Sequence, residues 1–186
     1  MAASSNFLSS TRKLFAYYKS LGDKALEQVA DEDINWKPNE VSNSLALIVH
    51  HMSGNMLSRF TDFLTSDGEK PWRDREAEFE VGYADKDEML KAWNSGWQKV
   101  FDTIDALSED DLDRIIYIRN EGHSVMEALQ RQLAHYPHHV GQIVYLAKMI
   151  RNASWKVLSI PKGGSSSYNA DKFSQEKGIR HFTERL

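Results

Sequence analysis

The segment LAHYPHHVGQIVYLAK, beginning at Leu133, places three of the chain's seven histidines within five positions: His135, His138 and His139, with Pro137 among them. Imidazole nitrogen is a good ligand for zinc, nickel, copper and iron, and residues four apart on a helix lie one above the other on the same face. His135 and His139 can therefore turn their rings toward a single ion, the geometry that also holds zinc in HExxH enzymes. The glutamate that serves those enzymes as a base is missing, since Tyr136, Pro137 and His138 fill the interval. That argues against a zinc peptidase of that class. Two imidazoles rarely suffice for a metal, so a third ligand has to come from elsewhere. The stretch VHHMSGN upstream offers His50 and His51.

Helical periodicity sorts these histidines. Leu129, Leu133, Tyr136, Val140, Ile143 and Ala147 mark the buried side of one helix, with His138 almost opposite, His139 at the margin and His135 beside it. Pro137 lacks a backbone donor, which leaves the Leu133 carbonyl without its usual partner. Upstream, Leu45, Ile48, Met52, Met56 and Phe63 set the buried side of another helix. His51 shares a polar stripe there with Leu47, Asn55, Ser58 and Asp62, bordering the core as the wall of a hydrated cavity would. His50 faces the other flank. The wheel favours His51 as third ligand, with His50 as the alternative.

The elements that must position these residues follow from the same periodicity. A first helix is expected from about Asn6 to Val29, with Ser and Thr near its start as caps. Pro38 in DEDINWKPNEVSN breaks the helical pattern, and a second helix opens at Ser42, Asn43 or Ser44. A long loop, TSDGEKPWRDREAEFEVGYAD, follows it; loops of that length in compact domains are often functional. Its charged run, Arg73, Arg75, Glu76, Glu78 and Glu80, reads as a solvated surface. The next helix, KDEMLKAWNSGWQKVFDTIDAL, puts Met89, Trp93, Trp97, Val100 and Ile104 on one face. RIIYI is a short strand or hairpin arm. The last long helix begins with a capping box at Ser124–Glu127.

These patterns predict an all-α protein: an antiparallel four-helix bundle with long loops and an irregular C-terminal segment. Residues 1–152 form the metal-binding bundle, and 153–186, including PKGGSSSYNADKFSQEKG, an extension packed on it or on a partner subunit. The chain's 186 residues suffice for a sizeable core. A net charge of -4 with no Lys/Arg stripe argues against nucleic acid. No apolar run is long enough to span a bilayer, no secretory signal is evident, and cysteine is absent, so a cytoplasmic location and no membrane partner are expected. Nucleophile-elbow, phosphate-loop, dinucleotide and EF-hand patterns are absent.

Three segments, NWKPNEVSNSLALIVHHMSGNMLSRFTDFLTSDGEKPWRDREAEF, LAHYPHHVGQIVYLAK and WKVLSIPKGGSSSYN, resemble the DinB-like (YfiT-like) metalloprotein superfamily, in particular a branch of uncharacterised bacterial members. Together they span most of the chain from Asn35 to Asn169. The resemblance implies a four-helix bundle, commonly a homodimer, with one metal-ligating histidine on the second helix and an HxxxH pair on the fourth. Carried over by position, the ligands are His51, His135 and His139; the branch commonly has an aromatic residue where His138 stands. Characterised relatives include transferases and an isomerase that use low-molecular-weight thiols such as bacillithiol, mycothiol or glutathione. Such a metal would bind the thiol, lower its pKa and hold the thiolate for attack on an electrophile.

The expected cofactor is accordingly a divalent transition metal, zinc or nickel before others, and the expected partner a small thiol or electrophile. Asn55 and Arg59, beyond His51 on its helix, are candidates to orient the substrate. Trp36 and Trp72, on loops, are candidates to close the pocket. The leading function is a metal-dependent thiol S-transferase or related detoxification enzyme. The rivals are a metal-dependent hydrolase with Asp62 or Glu78 as base, and a non-catalytic metal-binding stress-response protein with a closed coordination sphere.

Overall fold

The computed structural model describes residues 6–185, without the side chains of 184 and 185. The expected boundaries at residues 1–5 and 186 lie outside the described residues. The long helices are α1 (Phe7–Glu27), α2 (Leu45–Phe60), α4 (Lys86–Ala106) and α5 (Val125–Arg151); α3 (Ala77–Glu80) and α6 (Ser165–Phe173) are short. The caps explain where the chain commits to helix. Ser44 accepts the amide of Leu47, Asp85 that of Glu88, and Ser124 and Glu127 form the reciprocal capping box. α1 differs from expectation: Asn6 precedes it in helical conformation and no side chain caps its amides. α5 runs unbroken through Pro137.

The apolar faces bury as their spacing predicts. Met52, Met56, Trp93, Trp97, Leu129 and Tyr136 are all fully enclosed, and Trp97 meets Phe15 and Tyr136 ring against ring at 6.0 and 5.7 Å. Helix directions follow from paired contacts. Asp23 meets Trp93 while Arg12 meets Asp105, so α1 and α4 are antiparallel. His51 lies against His139 and Phe60 against Tyr136, so α2 and α5 are antiparallel as well. The other two neighbouring pairs run parallel. In α4, Gly96 abuts Ser53 and Thr103 donates to the Phe60 carbonyl of α2, while α1 and α5 meet at Phe15–Tyr136 and again beyond their ends at Gln28–Lys156. The bundle is therefore up-down-down-up.

This direction explains the long loop. Because α2 and α4 are parallel neighbours, the chain leaving Phe60 must travel back the length of α2 before α4 can begin. It does so pressed against α2. The Gly68 carbonyl accepts from Ser58 at 2.7 Å, Glu78 reaches His51, the Val81 carbonyl meets His50, and Gly82 lies by Ala46. This crossover covers the stripe that would otherwise be wet, which is why His51, Asn55, Ser58 and Arg59 are buried on a helix with few exposed residues.

A hairpin pins the crossover's near end. Strands β1 (Ile115–Ile118) and β2 (Glu121–Ser124) pair antiparallel around Arg119 and Asn120, both at positive φ. That costly turn is offset by Asp67, whose carboxylate accepts both their amides at 2.8 Å. After α5 the chain clasps α1: Gln28 exchanges hydrogen bonds with Lys156, Trp155 and Leu158 pack on the core, and Phe182 meets Tyr17 edge-on.

Candidate metal centre

His51, His135 and His139 converge between α2 and α5, each offering a nitrogen within 4.8 Å of the others'. Their local geometry settles which nitrogen each ring presents. Glu78 lies 3.1 Å from His51 Nδ1, the Gln132 side-chain oxygen 3.3 Å from His135 Nδ1, and the Gln142 oxygen 2.8 Å from His139 Nδ1. A carboxylate or amide oxygen can only accept, so each Nδ1 carries the proton and each Nε2 keeps its lone pair. The Nε2 atoms of His135 and His139 face each other at 3.0 Å. Two lone pairs that close repel unless a cation or proton lies between them. Around a tetrahedral zinc, ligand nitrogens are about 3.3 Å apart, given bonds of about 2.0–2.1 Å, so the α5 pair is already near the spacing an ion would impose.

Gln142 owes its orientation to a neighbour. Its amide nitrogen lies 3.2 Å from His138 Nε2, which turns the amide oxygen toward His139. His138 itself is exposed and outside the cluster, and His50 is committed to the Val81 carbonyl at 2.8 Å. Burial lowers the pKa of His135 to about 3, helped by the positive potential of His139, His51, Arg59 and Arg73, and burial lowers that of His139 too. Both rings are neutral at ordinary pH, the state a metal requires.

Glu78 is held as firmly as the histidine it meets. Arg73 grips it through Nε at 2.7 Å and Nη2 at 2.8 Å, and all three side chains of the Arg73–Glu78–His51 relay are buried. Burial pushes the Glu78 carboxyl up, but the hydrogen bonds and charges of Arg73 and His51 outweigh it and leave the group below the usual carboxylate range. A glycine makes room: a Cβ on Gly54 would fall 2.1 Å from Glu78 Oε1. Gly in a helix interior costs about 1 kcal/mol relative to Ala, and the approach of Glu78 is the reason for it here.

A cavity of about 370 Å³ opens beside the cluster, lined by His51, Asn55, Arg59, Gln132 and His135 among others. Tyr136 donates to the Asn55 side-chain oxygen at 3.0 Å, and burial raises its pKa so that it stays a donor. The Asn55 amide nitrogen then has no protein partner among the described residues. Arg59 also faces the cavity, but it bonds the Gly68 carbonyl and Glu69 and so anchors the crossover.

Several expectations need correction. Trp36 and Trp72 are 40% and 57% exposed and neither lines this cavity; Arg73 takes the inward position beside Trp72, and Phe79 stacks on His51 at 4.7 Å in their stead. Asp62, at positive φ just past α2, lies beside Phe60 and Lys99, away from the histidines. Arg73 and Glu78 belong to no solvated surface; the crossover buries both side chains. Gln132, Gln142 and Phe79 had no signal of their own, although the two glutamines lie three residues from a histidine on each side of the pair.

A family model described as "Protein of unknown function (DUF1572)" matches residues 2–164. No curated protein and no solved structure matches the chain.

Proposed function

The chain belongs to the DUF1572 family, and we propose that it is a metal-dependent enzyme of the DinB-like kind, a thiol S-transferase, with His51, His135 and His139 as ligands of zinc or nickel. One observation carries the reading: three imidazoles whose Nδ1 atoms each meet a carboxylate or amide oxygen, whose ligand nitrogens lie within 4.8 Å of one another, and of which His135 and His139 set their Nε2 atoms face to face at 3.0 Å. Carboxylate and amide partners of this kind fix the tautomer and raise the basicity of metal-bound histidine. Three protein ligands beside a cavity match catalytic sites, which keep a position open, and not closed structural ones.

A bound metal would supply Lewis acidity, lowering the pKa of a coordinated thiol. Held by His51, His135 and His139, such a metal would let a thiol give up its proton to solvent and bond to an electrophilic carbon, whose displaced group would depart with its bonding pair. The chain's part is to bind, orient and shield. Asn55 offers an unpaired amide to the substrate, Phe79 screens His51, and the relay from Arg73 holds the His51 tautomer. Hydrolysis is less well supported, because it lacks the base it needs: Asp62 is remote and both Glu78 oxygens are engaged by Arg73. A homodimer and a cytoplasmic setting complete the proposal. No helix among the described residues is long and apolar enough to cross a membrane.

The test is elemental analysis of untagged protein followed by thiol titration of a cobalt-substituted sample. About one metal per chain is expected, lost in His135→Ala and kept in His50→Ala, with a thiolate-to-cobalt band on adding thiol. Metal without a thiol response would remove the transferase; no metal after reconstitution would remove the enzyme.

A further inference from the structure

The cavity beside the histidines has an unusual wall. Arg59, Arg73, Arg75, Arg119 and Arg131 all line it, and no carboxylate does. Two carboxylates stand behind these arginines. Glu69 pairs with Arg59 at 3.2 Å and Arg119 at 2.9 Å, and Glu78 with Arg73 at 2.7 Å. Asp67 adds a third carboxylate near Arg59, so Arg59, Arg73 and Arg119 are balanced and two of the five guanidinium charges, those of Arg75 and Arg131, are left over. Arg75 and Arg131 have no acidic partner among the described residues; the nearest polar contact of Arg131 is His123 at 3.5 Å. This happens in a chain whose net charge is -4, so the positive potential is local.

Independent segments build the wall. The α2 helix supplies Arg59, the crossover Arg73 and Arg75, the hairpin turn Arg119, and α5 Arg131. The contact of Asp67 with the hairpin turn is what brings Arg119 to the crossover. Two of the arginines are rigidly held and buried, with side chains 6% and 2% exposed at Arg59 and Arg73; Arg75 and Arg131 are exposed at the mouth. Guanidinium forks are suited to bidentate capture of carboxylate or phosphate. At about 370 Å³ the cavity has the size of a small-molecule site, too confined for a nucleic-acid strand.

We infer that this cavity binds a small molecule bearing two or more negative oxyanion charges, carboxylate or phosphate, with Arg75 and Arg131 receiving it at the mouth. The inference rests on the metal reading for the position of the reacting end: imidazole is an uncharged ligand, so a divalent ion held by three of them would keep its full charge, which adds to the attraction. It deepens that reading by naming the substrate class, since an uncharged thiol or electrophile would gain nothing from this wall.

The test is calorimetric titration of the full chain, metal-loaded and metal-stripped, with inorganic phosphate, with succinate and with neutral succinamide. The same titrations are run on the Arg75→Gln/Arg131→Gln variant, whose metal content and melting temperature are measured alongside. Wild type is expected to bind a dianion and not the diamide, with affinity falling as sodium chloride rises. The double variant should bind at least tenfold more weakly at unchanged metal content. The tighter of phosphate and succinate names the oxyanion, and either supports the inference. Equal affinity in wild type and variant, equal binding of the diamide, or binding that depends on metal alone would overturn it. Phosphate or succinate binding by protein that takes up no metal would sink the metal reading and leave this one standing; metal at one per chain without oxyanion binding would do the reverse.

Discussion

Glu78 decides which nitrogen of His51 is free. Its carboxylate accepts a hydrogen bond from Nδ1–H at 3.1 Å while Arg73 holds both its oxygens, so the charge cannot be removed without consequence at either end. Glu78→Gln keeps the shape and loses the charge. Metal affinity should fall about 10–100-fold, as for other partners of metal-ligating histidines. Leaving Arg73 buried without its main counter-charge should lower stability by about 3–5 kcal/mol. Competition against a metal indicator and urea melts measure the two effects separately. If affinity is unchanged while stability falls, Glu78 serves the fold alone. His138 acts one step further out: His138→Ala should free Gln142 to rotate and weaken metal binding severalfold, without altering stoichiometry, since it is no ligand.

At the scale of elements, the crossover from residue 61 to 85 carries much of the site's construction. Gly54 is its contact point on α2, where a Cβ would strike Glu78. Gly54→Ala improves helix propensity by about 1 kcal/mol yet should displace Glu78 and lower metal affinity at least tenfold, with far-ultraviolet dichroism unchanged. Retained affinity would mean that the crossover can shift without loss. The α5 pair was legible in the sequence because an i,i+4 relation is local and depends on nothing but helix formation. His51 was legible from the wheel together with the family resemblance. The burial of Arg73 and Glu78 was not, although Glu78 is named above as a candidate base: it follows from α2 and α4 running parallel, a non-local fact that no pattern in the loop encodes. The same crossover explains why the loop tryptophans are outside. Phe79, one residue from Glu78, already covers His51.

For the whole molecule, the bundle's four long helices, the caps of α2 and α5 and the main apolar stripe of each long helix could be read from the sequence, since each helix buries one stripe. Their directions could not. The site also leaves a signature in the pH dependence of folding. His135 has a folded pKa near 3 against an ordinary value of 6.5, so below pH 6.5 the unfolded chain binds a proton that the folded chain refuses. Stability is then fully present above pH 6.5 and is lost as pH falls toward 3. Metal-free protein should melt at progressively lower temperature from pH 7 to pH 5, and His135→Gln should flatten that slope. An equal slope in the variant would place the proton-linked loss elsewhere.

The central claim, three inward-facing imidazoles around an open metal position, is tested most directly by X-ray absorption at the metal edge of zinc-loaded protein, before and after addition of a thiol. The expected result is three imidazole nitrogens at about 2.0–2.1 Å with a light exchangeable ligand, replaced by sulfur at about 2.3 Å when thiol is added. A closed shell of protein ligands that ignores the thiol, or zinc that does not bind at all, would contradict it.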